Sequence, residues 1–344
     1  MTFGRNNGLR VPEYALGAGM FGTRWGTGAD LDESRRILDR YAEAGGTFID
    51  TADSYQFGQS EEVLGELLED SRSRFTVATK FTIGTEPSIL GTGNSRRSMT
   101  TAVEASLRRL RTDHLDLLWT HFPDTVTPVD EIVRTLDDLV RAGKVLYGGL
   151  SNFPAWRTAR AATLADLRGL SPIAAVQYEY SLVERTADRE VVPMADALGL
   201  GGAQWSPLAG GLLSGKYRES DAGRLTTFGN VIHTEDTARK TAVIDTLLKV
   251  ADTLGVPPAQ VAVAWLRKHN ERWNTPAVTI IGPRTVDQLD GYLAALDLDL
   301  PDEHYALLDE VSRPDLGQPH EQIAANRDRH LGGPGFRTPV ITVA

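Results

Sequence analysis

The chain predicts an α/β fold: eight parallel strands closed into a (β/α)8 barrel, the TIM barrel, with long connecting loops at its C-terminal face and a C-terminal tail. Three observations carry this expectation. Apolar, β-type runs alternate with helix-period stretches from one end to the other. Eight such runs occur, each followed by a helical stretch. No linker rich in Pro, Gly or Ser divides the 344 residues midway. Strict βα alternation predicts parallel strands with right-handed crossovers, and barrels of this kind run to about 250 residues and more with insertions. The competing arrangement is a pair of open α/β domains, which the unbroken pattern disfavours. The expected unit is one domain over residues 1–344, with a core of about 9–312 and a tail over 313–344.

The elements follow in order. Tyr14–Gly19 is the first strand, and Leu31–Ala44 the first helix, with Asp30 as N-cap and Gly45-Gly46 as the stop. Thr47–Asp50, Phe75–Lys80 and Leu115–Thr120 are strands two to four, separated by helices at Ser60–Leu68 and Ser98–Leu110. Val129–Ala142, ended by Gly143, leads into strand five, Val145–Leu150. Pro154–Ala165, strand Ala174–Gln177, helix Asp188–Leu198 and strand Gly201–Trp205 continue the pattern. Two helices, Ala238–Leu254 and Pro258–Lys268, precede the eighth strand, Ala277–Ile281, and Val286–Leu296 follows it. Two connections are unusually long, Gly84–Arg97 and Ser214–Arg239, and loops of that length are usually functional. The tail from Pro314 is rich in Gly and Pro and ends in PVITVA. It is either a disordered end or a segment packed on the barrel mouth or on a partner subunit.

Composition bounds the chemistry. Apolar residues make up 41% of the chain, enough for a core. Lys and Arg number 36 against 46 Asp and Glu, a net charge of −10. Such a balance disfavours nucleic acid and anionic membrane surfaces as partners. There are no cysteines, which removes disulfides, thiolate metal sites and cysteine nucleophiles. The seven histidines show no metal-ligand spacing, so no metal is expected. Met1–Arg10 lacks the apolar core of a signal peptide, and no run approaches the roughly 18 apolar residues of a membrane span. The expected location is the cytoplasm.

GAGMFG, with Gly17, Gly19 and Gly22, matches G-x-G-x-x-G literally. A dinucleotide fingerprint needs a helix opening at that turn. Here the next helix begins some ten residues later, so the glycines are expected instead to let a strand end approach a ligand.

In a (β/α)8 barrel the chemistry sits at the C-terminal strand ends. Strand two ends in FIDTADSY, with Asp50 and Tyr55; strand three ends in Lys80, and strand four in His121. Strand five offers Ser151-Asn152, strand six Gln177, strand seven Trp205-Ser206-Pro207-Leu208, and strand eight Gly282-Pro283-Arg284. Core packing asks for none of these polar groups, yet they share one inferred face. A phenol with an ordinary pKa near 10 is a poor acid at neutral pH. A nearby ammonium favours the phenolate, a carboxylate keeps that ammonium charged and oriented, and an imidazole holds the substrate oxygen. Asp, Tyr, Lys and His therefore make a proton-donating site for an oxygen becoming an alkoxide. They supply no electrons, so a cofactor must deliver hydride.

These segments resemble the aldo-keto reductase family. The matches are FIDTADSY, TVATK, DLLWTHFPD, GGLSNF, AAVQYEYS, WSPLAGGLLSGKY and IIGPRTVDQL, in family order over about residues 9–300. The resemblance implies NADPH-dependent reduction of a small-molecule aldehyde or ketone, with NADPH/NADP+ as cofactor. It implies Tyr55 as general acid, with Asp50, Lys80 and His121 completing the catalytic set. It implies cofactor contacts from Gly19, Met20, Asp50, Ser151, Asn152, Gln177, Trp205, Ser206, Leu208, Gly210, Lys216, Gly282, Arg284 and Gln288. Among these, Ser151, Asn152 and Gln177 would grip the nicotinamide carboxamide, and Trp205 would stack beneath the ring where the family usually has tyrosine. Lys216 would lie in the loop over the pyrophosphate, and Arg284 would hold the 2′-phosphate. Tyr292 stands where the family usually places an asparagine near the adenine. Phe21, Trp25, Phe122 and Phe228 are expected around the substrate, with Phe57 and Phe153 nearby. The overall flavour resembles bacterial members that reduce ketones in secondary metabolism. A general aldehyde-detoxifying reductase is the alternative enzyme, and a cofactor-binding regulatory subunit like potassium-channel β-subunits is the alternative class. The resemblance allows a homo-oligomer.

Overall fold

The structure, a computed structural model, describes residues 1–86, 88–218, 233–333 and 335. Eight parallel strands close on themselves in sequence order: β1 (Tyr14–Gly17), β2 (Phe48–Asp50), β3 (Thr76–Phe81), β4 (Leu115–Thr120), β5 (Val145–Ser151), β6 (Ile173–Glu179), β7 (Gly201–Trp205) and β8 (Ala277–Ile281). β8 pairs back onto β1, Leu16 opposite Ile281. The crossover helices are α1 (Leu31–Glu43), α2 (Gln59–Leu67), α3 (Arg96–Arg109), α4 (Val129–Arg141), α5 (Ala155–Leu167) and α6 (Val191–Leu198). They are followed by α7 (Ala238–Leu254), α8 (Pro258–Asn270) and α9 (Val286–Ala294). The barrel expected from the alternation is the one observed.

Local sequence explains the elements. Asp30, Ser95, Thr237 and Thr285 cap α1, α3, α7 and α9 by accepting from a backbone N–H in the first turn. In α4, Val129, Ile132, Val133, Leu136 and Leu139 recur at helical spacing and all are buried. Each such side chain contributes about 1.5–3 kcal/mol when taken from water, so a charge at Ile132 would detach the helix from the sheet. The strands fill the barrel with Phe48, Ala78, Leu117, Trp119, Ala175, Ala203 and Val278. Phe3 closes the bottom, fully buried, with its ring 5.7 Å from Phe48 and 6.4 Å from Trp119. The packed core thus reaches back into the first ten residues, ahead of the expected start near residue 9.

Some boundaries differ from expectation in ways that bear on the site. β3 runs to Phe81 and β6 to Glu179, so Lys80 and Gln177 are strand residues held in register rather than strand ends. The helix expected from Asp188 begins at Val191, because Asp188 is engaged by Arg185 at 2.9 Å and Tyr180 at 2.5 Å in a separate 3₁₀ turn. The chain after β8 carries α10 (Asp302–Ser312) and then, within the expected tail, two short helices, α11 (His320–Ala325) and α12 (Arg327–His330). Arg189 donates to the Gln318 carbonyl at 3.0 Å, tethering this stretch near the start of α6. The PVITVA end lies outside the described residues. No helix among the described residues is long and apolar enough to cross a membrane.

Candidate active site

Barrel register brings residues far apart in sequence to one level. Asp50 pairs with Ala78, Lys80 with Trp119, Trp119 with Gly149, and Ser151 with Gln177. Lys80 is wholly buried, and its ammonium has three acceptors: Asp50 Oδ2 at 2.5 Å, the Thr51 carbonyl at 2.8 Å and the Tyr55 hydroxyl at 3.1 Å. Burial pushes the ammonium down, but the Asp50 carboxylate and the Tyr55 phenol outweigh it and hold Lys80 above its ordinary value. Asp50 is also buried. Its Oδ1 accepts from Trp119 Nε1 and from Gln177 Nε2, both at 3.0 Å.

Tyr55 leaves β2 in a turn that presents its ring to a cavity of about 750 Å³. His121 lies on the same wall, 6.0 Å from the Tyr55 ring and edge to face. Burial, then the Lys80 charge, push its imidazole well below 6.5, so it is neutral. Its Nδ1 is buried without a hydrogen-bond partner. The four expected catalytic residues therefore meet at one point.

Of the glycines in GAGMFG, Gly17 and Gly19 serve close packing. A Cβ on Gly17 would stand 2.9 Å from Ile280, and one on Gly19 would touch the Tyr55 ring at 3.4 Å. Gly22 adopts φ +107° in the loop that Gln56 and Gln59 pin back. Gln59 accepts from the Thr23 and Arg24 amides at 2.9 and 3.0 Å, and Gln56 from the Trp25 amide at 2.7 Å.

All of the expected cofactor residues but Ser151 fall along one trough. Gly19, Met20, Asp50, Asn152, Gln177, Trp205, Ser206, Leu208, Gly210 and Gly282 line the large cavity. A second cavity of about 280 Å³ holds Lys216, Arg284 and Gln288. The two share Leu208, Gly210, Gly211, Gly282 and Tyr292, so the trough is continuous from the barrel centre to the start of α9. A nicotinamide dinucleotide fits this donor set. The half-buried Trp205 offers an aromatic face at the inner end, while Lys216 and Arg284 place two cations at the outer end. An added Cβ on Gly210 meets no protein atom within 4 Å, so the space beside it is open.

Several assignments change in detail. Ser151 is fully buried and does not line the cavity; its hydroxyl accepts from Asn152. Asn152 spends both amide hydrogens on Ser151 Oγ and the His121 carbonyl, and its Oδ1 accepts from Trp205 Nε1 at 3.1 Å. It therefore braces three strand ends. Gln177 gives one amide hydrogen to Asp50 and keeps its Oε1 and the second amide hydrogen for a ligand. Gln288 Oε1 is taken by the Arg284 amide at 2.9 Å.

Around the mouth, Trp25, Phe57, Phe122 and Ile83 border a side cavity of about 420 Å³ beside Tyr55 and His121. The Phe122 ring stacks on His121 at 4.8 Å, and Trp25 meets Tyr55 edge to face at 6.1 Å. Phe21 corrects the expectation: it is fully buried in the core between sheet and helices and lines neither cavity. Phe153 is buried under Arg157 rather than at the mouth. Phe228 lies outside the described residues. No cluster of His, Asp or Glu among the described residues is arranged to hold a metal ion.

Sequence reasoning missed two buried groups. Trp119, two residues before His121, donates to Asp50 and was legible from strand period alone, since residues i and i+2 share a face. Asp53 is buried with one carboxyl oxygen lacking a hydrogen-bond partner. Burial and the neighbouring Glu61 raise it to about 7. Nothing in its sequence surroundings distinguishes it from a turn carboxylate.

Comparison with known proteins follows the same outline. The Aldo/keto reductase family profile matches residues 14–313. Norsolorinic acid reductase stcV of Emericella nidulans is 35% identical over 324 residues, covering 91% of this chain and 81% of its own. The uncharacterised oxidoreductase YrpG of Bacillus subtilis is also 35% identical, covering 94% of this chain and 99% of its own. Aryl-alcohol dehydrogenase [NADP(+)] of Phanerodontia chrysosporium is 34% identical, covering 94% of this chain and 88% of its own.

Proposed function

The chain belongs to the aldo-keto reductase family and is an oxidoreductase, and from that premise we propose that it reduces an aldehyde or ketone to the alcohol with NADPH, Tyr55 donating the proton. The observation that carries the proposal is the Lys80 ammonium, buried and shared between Asp50 and the Tyr55 hydroxyl. A nicotinamide held by Gln177 and Trp205 in the trough would supply the hydride. The substrate oxygen sits between Tyr55 and His121. As charge develops on that oxygen, Tyr55 passes its proton across, and the Lys80 ammonium stabilises the phenolate left behind. His121, neutral at working pH, offers hydrogen bonding without adding a second charge beside Lys80. Asp50 keeps Lys80 charged and aimed. Lys80 and Asp50 are buried, so their charges act in a weakly screening medium.

Residues along the trough support NADPH over NADH. Arg284 stands at the start of α9, where a guanidinium and a helix N-terminus suit a phosphate dianion. The lining of the mouth, with Trp25, Phe57, Phe122 and Ile83, supports a substrate with a flat apolar body. One of the similar proteins carries a name with that flavour, an aryl-alcohol dehydrogenase. A single-domain enzyme acting on small molecules in the cytoplasm, as a ketoreductase of natural-product biosynthesis, is the reading we favour. NADPH oxidation against aryl ketones, aryl aldehydes and short aliphatic aldehydes tests it. Turnover of aryl ketones is the expected result. Preference for short aliphatic aldehydes would point to the detoxifying role, and NADPH binding with no turnover on any carbonyl would defeat the enzyme proposal.

A further inference from the structure

We propose that Trp119 is a positioning residue for the proton donor, acting through Asp50; this rests on the reductase function proposed above. The indole is fully buried in the barrel interior and donates to Asp50 Oδ1 at 3.0 Å. Its place is built for it. Gly149 faces it in register on β5, and a Cβ there would stand 2.5 Å from the indole Cζ3 and 2.6 Å from Cε3. Phe3 meets the ring edge to face from below. The N–H therefore has one direction available, and that direction is the carboxylate.

Burial of an indole does not by itself recruit such an acceptor. Trp265 is equally buried, and its Nε1 has no hydrogen-bond partner. At Trp119 the acceptor is the carboxylate that orders Lys80. Two neutral donors, Trp119 and Gln177, occupy Oδ1, which turns Oδ2 alone toward the ammonium. With Asp50 and the Thr51 carbonyl taking two of the Lys80 hydrogens, the third is left for Tyr55. The titratable groups facing this carboxylate are Lys80 on β3, Tyr55 after β2 and His121 after β4. Without the indole N–H, the carboxylate is freer to rotate, and the fork at Lys80 loosens.

Two variants in the full chain separate donor from filler. Trp119→Phe keeps an apolar ring and removes the N–H; Trp119→Gln loses the ring and restores an N–H at similar reach. The Asp50 carboxyl carbon, followed by NMR in aspartate-labelled protein and assigned with Asp50→Asn, gives a readout that needs no turnover. Steady-state kinetics and calorimetric NADPH binding give the others. Trp119→Phe is expected to displace the Asp50 carboxyl-carbon resonance from its wild-type position. It is expected to lower kcat about tenfold, with KM and NADPH affinity within about twofold. Trp119→Gln is expected to return the resonance and most of kcat. An unmoved resonance in Trp119→Phe, or a Trp119→Gln protein worse than Trp119→Phe in both readouts, overturns the inference. If Trp119→Phe does not fold, the Asp50 resonance in Trp119→Gln decides alone, its wild-type position supporting the donor role and a displaced one overturning it. An unaltered enzyme that reduces no carbonyl overturns the reductase proposal, and the NMR resonance still judges the Trp119–Asp50 link.

Discussion

Lys80 and Tyr55 meet at 3.1 Å, the ammonium donating to the phenol oxygen from a position with no solvent exposure. The pair makes Tyr55→Phe the most direct test of proton donation. The ring and its packing against Gly19 remain, and only the transferable proton goes. Turnover is expected to fall by roughly 10²–10⁴, while NADPH affinity measured by calorimetry stays within twofold. Retained turnover would end the assignment of Tyr55 as the acid.

Lys80→Met tests the same pair from the other side. Methionine fills similar space but leaves Asp50 as a buried carboxylate without its counter-ion, at a cost of about 3–5 kcal/mol. Denaturant unfolding should show that loss, and kcat should fall with it. Because Lys80 is held above its ordinary 10.5 in the fold, its contribution to stability is complete below the unfolded value. It is lost as pH rises through the folded one. The difference between wild type and Lys80→Met should therefore shrink only in strong alkali.

His121 is expected to stay neutral through the range where free histidine titrates, since burial and then Lys80 hold it well below 6.5. Its ring carbon resonance should not move between pH 8 and pH 6, and kcat should show no break near 6.5. The stability it contributes is complete above the unfolded value and declines as pH falls below it. An imidazole shift centred near 6.5 would contradict this.

Arg284→Ala should weaken NADPH binding about 10–100-fold, as loss of a charge-assisted phosphate contact does. NADH affinity should stay within twofold, because NADH lacks the 2′-phosphate. Parallel titrations with the two cofactors measure it directly. Equal losses for both would place Arg284 elsewhere on the ligand.

Asp53→Asn is expected to stabilise the protein in a pH-dependent way. Burial and Glu61 raise Asp53 to about 7 from 3.8. The fold thus prefers its neutral form, and the contribution present below the unfolded value is lost as pH climbs toward 7. Above that, the ionised carboxylate costs up to about 4 kcal/mol at 1.36 kcal/mol per unit. Melting curves should show a gain for Asp53→Asn at pH 8 and almost none at pH 4. The turn between β2 and Tyr55 is intact in either case, since the amides of Asp53 and Tyr55 bond backbone carbonyls.

Much of this was legible in the chain. Apolar β-type runs, helical stripes such as that of α4, and caps such as Asp30 are local, so the barrel could be read from them. Asp50, Tyr55, Lys80 and His121 were legible because polar residues followed apolar strands at one inferred end. Phe21 was not. Phe21 and Trp25 both follow the GAGM turn within five residues, but the loop pinned by Gln56 and Gln59 turns one ring inward and the other toward the mouth. Likewise Asn152 reads as a ligand contact until its amide hydrogens are seen to be spent on Ser151 and the His121 carbonyl.

Alternation of strand and helix specified a barrel, and the residue types at strand ends with the absence of thiols predicted an oxygen acid fed by a borrowed hydride. Those features depend on neighbours a few residues apart, and periodicity reports them. The partner of each polar atom was decided across the barrel. Trp119, Gln177 and Lys80 come from three different strands, and they converge on Asp50 because closing eight strands in register puts them at one level. Hydrogen bonds are satisfied in three dimensions, and most buried polar groups find their partners only there.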